Sequence, residues 1–423
     1  MPSLDSIIGL SGIRLESATN EGVIEVWAYA SFRPSCIYCE CSSTRIKASF
    51  TRTLKHTRQG NRLMVLHVRS HKYVCNRCGR YFNLRIPGVL PRRRATESFR
   101  MEVYEKHHGG LSQSFLEETH DIGHATVERW YQDFVGKRVQ ELKGRPAPKV
   151  MGIDEHHFTR KEGYATTFCD LGKHKIYDVV LGRSALSLES YLKQIPMRHS
   201  TRIVVMDLSD TYRSIVEEHF PSALIVADRF HVIRLVNHHF LKTWQLIDPI
   251  GRKNRGLLSL MRRHEKNLKP EQKVNLEKYF AKNPVLKEIY DFKQRLCGIL
   301  GLRSKNKAFL RPVIHDLLQM ISQLQETTLD PLRTLGETLD KWKEEIGRML
   351  RFSKSNGITE GFHTKMEMLS RRAFGFRNFT NYRLRVLAHC GWDGVFAIRD
   401  VPMLPLGCTM IEPRSPMLNS EVL

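Results

Sequence analysis

Three times the chain runs an apolar stretch into an aspartate. "KVMGI" leads to Asp154, "RIVVM" to Asp207, and "ALIVA" to Asp228, with His231 three residues further on. Runs of this kind read as short buried strands, so each aspartate stands at a strand end. Carboxylate oxygens are the hard ligands that magnesium prefers. Two such ions about 3.5–4 Å apart activate an attacking hydroxyl and stabilise a leaving oxygen in phosphoryl transfer. Two aspartates on neighbouring strands and a third acid from a helix suffice to hold them. Glu360 is placed for that part, after the loop residues Ser355, Asn356 and Gly357 and at the start of a basic helix carrying Lys365, Arg371, Arg372 and Arg377. Each acid also has a plainer reading: a strand can simply end in solvent, and a first-turn Glu is stabilised by the helix dipole. "GIDEHHF" also holds Glu155, His156 and His157, but consecutive strand residues point to opposite faces, so these need not join Asp154.

A second group of ligands lies near the N-terminus. "CIYC" supplies Cys36 and Cys39, and "CNRC" supplies Cys75 and Cys78. Each C-x-x-C lets one tight turn aim two thiolates at one ion, and two such turns make a closed tetrahedral site suited to zinc. Two chance pairs are the alternative, and Cys41 is close enough to confuse the ligand set. Between the pairs, "ASFTRTLKHT" and "NRLMVLHVRSHKYV" read as strands with "RQGN" as their turn. With nine cysteines and no basic-then-apolar leader in "MPSLDSIIGL", a disulfide framework is not expected. Cys169, Cys297, Cys390 and Cys408 read as buried inert thiols.

The elements that must position the acids follow in a definite order. After Asp154 come strands over 164–171 and 175–182, a helix over 187–194, the strand before Asp207, a helix, and the strand before Asp228. Three strands in a meander, then helix, strand, helix, strand, is the order of a ribonuclease-H-like mixed sheet, in which strands one and four lie side by side. Beyond it the text turns helical. Leu332, Leu335, Leu339, Trp342, Ile346 and Leu350 recur at three- and four-residue spacing after an Asp330–Pro331 start, and Asn283–Pro284 opens another helix. Plain core packing is the preferred reading of these stripes.

Charge points to a partner. The chain has 423 residues and a net charge of +23, from 67 Lys and Arg against 44 Asp and Glu. Between Cys41 and Arg94 stand fourteen Lys or Arg and no acid, closing on Arg92, Arg93 and Arg94. Concentrated charge of this kind suits a nucleic-acid partner better than a merely soluble surface. The basic stretch 251–269 is a further place for contact. A helix over 96–108, a short one over 112–119, a turn at Gly123 and a helix over 125–134 then read as a helix-turn-helix. Its outward candidates are His124, Thr126, Glu128 and Arg129, with an ordinary helical pair as the alternative. No apolar run reaches membrane-spanning length, and a cytoplasmic protein is the default.

Taken together, the paired C-x-x-C turns, the helix-turn-helix, "GIDEHHF", "VVMDLSDTYRSIVEEHFPSALIVADRFHVIRLVN" and "SNGITEGFHTKMEMLSRRAFGFRNF" resemble bacterial insertion-sequence transposases of the ISL-three family, over about residues 30 to 392. That family belongs to the DDE transposases, whose catalytic domain is ribonuclease-H-like and uses divalent metal. The resemblance implies Asp154, Asp207 and Glu360 as the three acids holding magnesium or manganese. It makes Asp228 and His231 supporting residues, with Asp228 the rival for the second acid. It implies terminal inverted repeats and target DNA as partners, and a homodimer or larger assembly. His363 and Glu367 depart from the Asn and Lys of the family pattern. The expected organisation is a zinc-binding β domain over 30–90, a helix-turn-helix over 95–140, a catalytic domain over 148–392 with a helical insertion at about 240–350, and an irregular tail over 393–423. Two rival functions stand beside the transposase: a DNA-binding regulator derived from one with an inactive catalytic fold, and a zinc-ribbon nuclease that cleaves without joining ends.

Overall fold

A computed structural model describes residues 8–352 and 357–392, together with the backbone of Thr409–Met410. The chain divides into two units, Met1–Lys137 with Gly394–Leu423, and Arg138–Asp393. It is a mixed α/β protein with two mixed sheets. No described helix is long and apolar enough to cross a membrane.

In the first unit, β1 (Ile13–Glu21) and β2 (Val23–Ala30) form a hairpin, followed by β3 (Phe32–Arg33). β4 (Thr44–Gln59) and β5 (Arg62–Cys75) form the long hairpin expected from the text between the cysteine pairs, turning at Gly60 with φ 59°. β6 (Tyr81–Asn83) folds back on the end of β5. The sheet order is β1-β2-β5-β4, with β2 and β5 parallel. Met64, Leu66 and Val68 alternate inward along β5 and pack on Ile13, Val26, Ala28 and Leu54. Each such side chain contributes about 1.5–3 kcal/mol by leaving water. The sheet therefore begins well before residue 30, because the inner face of β5 is completed by Val26 and Ala28 of β2. Thr409–Met410 pairs with β3; the rest of the tail, with Cys408, lies outside the described residues, as do Ser355 and Asn356.

Three helices follow in this unit. In α1 (Glu97–His108), Thr96 caps by accepting from the Phe99 N–H. α2 (Gln113–His120) is capped in the same way by Ser112. α3 (His124–Leu142) continues well past the expected end at 134. Phe99, Val103, Leu116, Ile122, Val127 and Trp130 form their shared core. Asp121, between α2 and α3, takes the left-handed conformation with φ 51°, which asparagine and aspartate tolerate better than most residues.

The second unit is built on β7 (Val150–Thr159), β8 (Gly163–Asp170), β9 (Lys175–Leu181), β10 (Ile203–Met206) and β11 (Leu224–Ala227). Their order is β11-β10-β7-β8-β9. The meander β7-β8-β9 is antiparallel, whereas β10 lies parallel to β7 and β11 parallel to β10. Parallel neighbours need crossovers, and α4 (Ala185–Gln194) and α5 (Asp210–His219) supply them. The chain then becomes helical: α6 (Arg229–Ile247), α7 (Pro249–Lys253), α8 (Arg255–Arg262), α9 (Pro270–Ala281), α10 (Pro284–Gly301), α11 (Lys307–Glu326), α12 (Asp330–Lys341) and α13 (Lys343–Arg351). α14 (Gly357–Arg372) and α15 (Phe379–Cys390) close the unit.

The Leu332 to Leu350 stripe is buried in the main core, as core packing required. Asp330 opens α12 from inside its first turn, with Leu329 as the N-cap residue. A second core forms around Phe240, Trp244, Phe280 and Tyr290. Buried Arg229, beside Asp228, ties the start of α6 to the ends of α10 and α13 by donating to the carbonyls of Leu300 (2.7 Å), Leu302 (2.8 Å) and Met349 (2.9 Å). A buried guanidinium is tolerable there because helix-end carbonyls are unsatisfied acceptors.

Candidate active site

Asp154 is not at a strand end. β7 continues to Thr159 because β8 keeps pairing with it, and Asp154 stands opposite Thr167. What ends near Asp154 is its other neighbour. β10 pairs Ile203, Val204 and Val205 with Val150, Met151 and Gly152, and then stops at Met206. Asp207 and Asp228 each stand immediately after their strands, β10 and β11, as expected.

One ligand atom each from Asp154, Asp207 and His231 lies within 4.8 Å of the others. Asp228 and Glu360 are outside this group. Asp228 is buried as the N-cap residue of α6, but its carboxylate turns to His231 instead of capping the helix. The His231 Nδ1 stands 2.5 Å from Asp207 Oδ1 and 2.9 Å from Asp228 Oδ2. A single N–H cannot point at both. It is directed at Asp228, so Asp207 Oδ1 is buried in an ion-pair contact without a hydrogen-bond donor of its own. Burial alone would lower His231, yet Asp207 and Asp228 outweigh it and raise the imidazole to about 10. His231 thus stands as a partly exposed countercation beside both aspartates.

The Asp154 carboxyl is pushed up to about 7, by burial first and by the Asp207 charge next, against the pull of His231. Its Oδ1 accepts the Glu155 N–H at 2.8 Å. Two crowded carboxylates, one resisting ionisation and the other with an orphaned buried oxygen, fit a hard divalent cation, which would satisfy both.

α14 brings its residues to this place unevenly. Glu360, in the first turn, is exposed. One turn on, His363 Nδ1 comes within 3.7 Å of Asp154 Oδ2. Glu367 is engaged with Arg371 at 2.6 Å on the exposed side of the helix. Of the other residues in "GIDEHHF", Glu155 pairs with Arg183 at 3.3 Å, while His156 is held down to about 3 by burial and by the neighbouring His363 and His157. Burial and the charge of His231 hold His363 down to about 4. A cleft of about 650 Å³ opens beside Asp207 and His231, lined by Arg234, Asn237 and His238 of α6, Arg262 of α8 and Thr338 of α12. His231, Arg234 and His238 recur at helical spacing, a signal carried by the sequence itself.

The four cysteines form a separate cluster in the first unit. The sulfurs of Cys36, Cys39, Cys75 and Cys78 lie within 4.8 Å of one another, with Cys36–Cys78 and Cys39–Cys75 at 3.6 Å. Cys41 is not among them. Each pair is one turn: Glu40 N–H donates to Cys36 O and Gly79 N–H to Cys75 O, and both residues have positive φ, 58° and 68°. The backbone N–H groups of Cys78 and Arg77 draw the Cys75 thiol down to about 6, though burial opposes them. Cys39 accepts from the Cys41 N–H, yet burial and the surrounding sulfurs push it up to about 12. Sulfurs this crowded favour a cation among them, and their number and type suit zinc.

Around the basic run, Arg92 and Arg94 are exposed, whereas Arg93 pairs with Asp133 at 3.3 Å. His124 and Arg129 are exposed, with His124 Nε2 2.9 Å from Glu117; Thr126 is half-buried.

Residues 151–386 match a family of sequences described as transposases, of the DDE type and the ISL3 group. A transposase for insertion sequence element IS1001 from Bordetella parapertussis is 22% identical over 335 residues, 77% of this chain and 81% of its own length. A transposase for insertion sequence element IS1557 from Mycobacterium tuberculosis is 22% identical over 258 residues, 54% of this chain and 57% of its own length. A Lactococcus lactis protein named as an ATP-dependent protease is 29% identical over 136 residues, 29% of this chain. The family match covers more than half of the chain and spans the strand, aspartate and helix pattern from Asp154 through Glu360. The chain belongs to the ISL3 family of DDE transposases.

Proposed function

We propose that this protein binds the terminal inverted repeats of its insertion sequence and catalyses metal-dependent strand cleavage and strand transfer. The carrying observation is the closeness of Asp154 and Asp207 on adjacent parallel strands of a ribonuclease-H-like sheet. Asp154 and Asp207, with Glu360 brought in from α14, would hold magnesium or manganese. Bound there, the metal supplies Lewis-acid activation of the attacking oxygen and neutralises charge on the leaving oxygen.

The chain's own groups do the rest. Asp228 keeps His231 against Asp207, and Arg229 fixes the helix that carries His231. Arg234 and Arg262 give the adjacent cleft cationic character, so the DNA backbone is taken to run there. Water first attacks a phosphodiester at the transposon end, releasing a 3′-hydroxyl. That hydroxyl then attacks a target phosphodiester, forming one bond as it breaks another. Joining two ends calls for two or more copies. The cysteine cluster is read as a zinc site, and the three helices after it as a helix-turn-helix that reads base edges through His124, Thr126 and Arg129, all acting on DNA in the cytoplasm. Arg92 and Arg94 are read as phosphate contacts.

The test is incubation of the purified full chain with labelled end DNA and target DNA in magnesium. Nicked ends and joined products are expected. Specific binding without cleavage in magnesium or manganese points to the regulator, and cleavage without joining points to a nuclease.

A further inference from the structure

We propose that His363 is a positioning residue for Asp154, aimed by a one-way chain of hydrogen bonds that begins at Tyr382. Its direction rests on Asp154 being ionised, as the proposed metal-holding role requires; the contacts themselves do not. The links span four elements. Tyr382 Oη on α15 is 2.9 Å from His156 Nε2 on β7. His156 Nδ1 is 3.1 Å from Thr167 Oγ1 on β8. The same Oγ1 is 3.1 Å from His363 Nε2 on α14, and His363 Nδ1 faces Asp154 Oδ2 at 3.7 Å. The sheet builds this arrangement, because Asp154 and Thr167 are direct partners in the β7–β8 register.

Direction follows from what each group can give. An ionised carboxylate only accepts, so the His363 nitrogen facing Asp154 carries the hydrogen. A neutral imidazole carries hydrogen on one nitrogen, so His363 Nε2 is an acceptor and takes the single hydrogen of the Thr167 hydroxyl. Thr167 in turn accepts from His156 Nδ1–H. His156 Nε2 is then an acceptor and takes the Tyr382 O–H. Reversed, the chain would turn a lone pair of His363 toward Asp154.

At 3.7 Å the last contact is longer than a hydrogen bond. It acts as an aimed dipole, and Thr167 stops the imidazole from turning away. With the Glu155 N–H on Oδ1, both oxygens of Asp154 then face an N–H, which holds the carboxylate plane. His363 lies one helical turn beyond Glu360, so the same contact sets the helix that would bring the third acid. Partners of this indirect kind typically carry about 10–100-fold in metal affinity or activity.

Two measurements on the full-length chain test this. The first is nitrogen-15 NMR of histidine-labelled protein above about pH 8, where Asp154 is ionised, in which His156 and His363 should both carry hydrogen on Nδ1. The second is titration with manganese or magnesium. His363→Ala should weaken affinity by about 10-fold or more. His363→Asn, whose amide can accept from Thr167 and donate toward Asp154, should recover most of that loss. Tyr382→Phe keeps the ring and removes the first donor, and should mix the histidine tautomers. Hydrogen on Nε2 of His363 in the wild type overturns the chain. A folded His363→Ala variant with wild-type metal affinity overturns the positioning role. If the wild type binds neither ion, the metal reading of Asp154 fails, and the tautomers alone uphold or overturn the chain.

Discussion

Asp207 lies beside Asp154 because Val205 pairs with Gly152. The pairing is parallel and both aspartates follow two residues later, so the two carboxylates leave neighbouring strands at the same level and on the same face. No other pair of acids among the described residues lies as close within a three-ligand group.

Asp154→Asn and Asp207→Asn should each lower end cleavage by about a thousandfold, since several kcal/mol of charge stabilisation is at stake. Binding to end DNA should change little. Asp228→Asn should keep some activity, because Asp228 acts through His231. Wild-type cleavage by Asp207→Asn with none by Asp228→Asn would transfer the second role to Asp228. Gel assays of cleavage and binding in parallel decide this.

Glu360→Gln should abolish cleavage although Glu360 is exposed and outside the cluster, because the proposed function has it join as the third acid when metal and DNA bind. The measurement is single-turnover cleavage under saturating DNA. Wild-type rates would remove Glu360 from the site.

Metal-free stability should carry the signature of Asp154. Its folded carboxyl titrates near 7, above the ordinary value of 3.8. A raised pKa means that the folded state holds the proton more tightly. The group's contribution is therefore most favourable below about pH 4, declines between 4 and 7, and is a full penalty above 7. Asp154→Asn should raise Tm at pH 8 and flatten the fall of Tm between pH 4 and 7. His231, raised to about 10, adds stability that is full below 6.5, declines between 6.5 and 10, and is gone above 10. Thermal scans belong in magnesium-free buffer without chelator, which leaves the cysteine cluster undisturbed. An unchanged slope in the variant would show that Asp154 is not the group responsible.

One zinc per chain should be found by elemental analysis of the purified protein. Cys75→Ser should lose it and loosen the sheet that ends at Cys75, with weaker DNA binding as a consequence. Cys41→Ser should keep it, since Cys41 lies outside the cluster. Zinc-free wild-type protein with an intact fold would refute the site.

DNA affinity should fall steeply with salt. Arg92→Ala and Arg94→Ala should weaken binding to all sequences alike, and each should reduce the salt slope by about 1. Arg93→Ala should do less to the slope and should cost up to about 1 kcal/mol of stability, because Arg93 is paired with Asp133. Loss confined to one DNA sequence would make these residues base readers.

Much of this was legible from local pattern. Two C-x-x-C turns around a strand hairpin are a short-range signal, and the sulfurs converge as the spacing implied. The order of strands and helices in the second unit was equally readable, since hydrophobic period and turn residues act over a few positions. The start of the first sheet was not. β2 joins β5 in parallel, and nothing within "VIEVWAYA" names a partner so far along the chain. The charged run after Asp154 points to a strand end, but β8 continues to pair with β7 through that run.

By itself, then, the sequence determined which residue types are available and on what kind of element each sits: thiolates in turns, aspartates beside short apolar strands, arginines in a run. Tertiary structure alone decided which of them meet. His231 became the neighbour of Asp207, and His363 the neighbour of Asp154, through the packing of helices from distant parts of the chain. The physical reason is range. Periodicity and capping are set by contacts within a turn or a strand, whereas the meeting of β7, β10, α6 and α14 depends on a core whose members are brought together only when the whole unit folds.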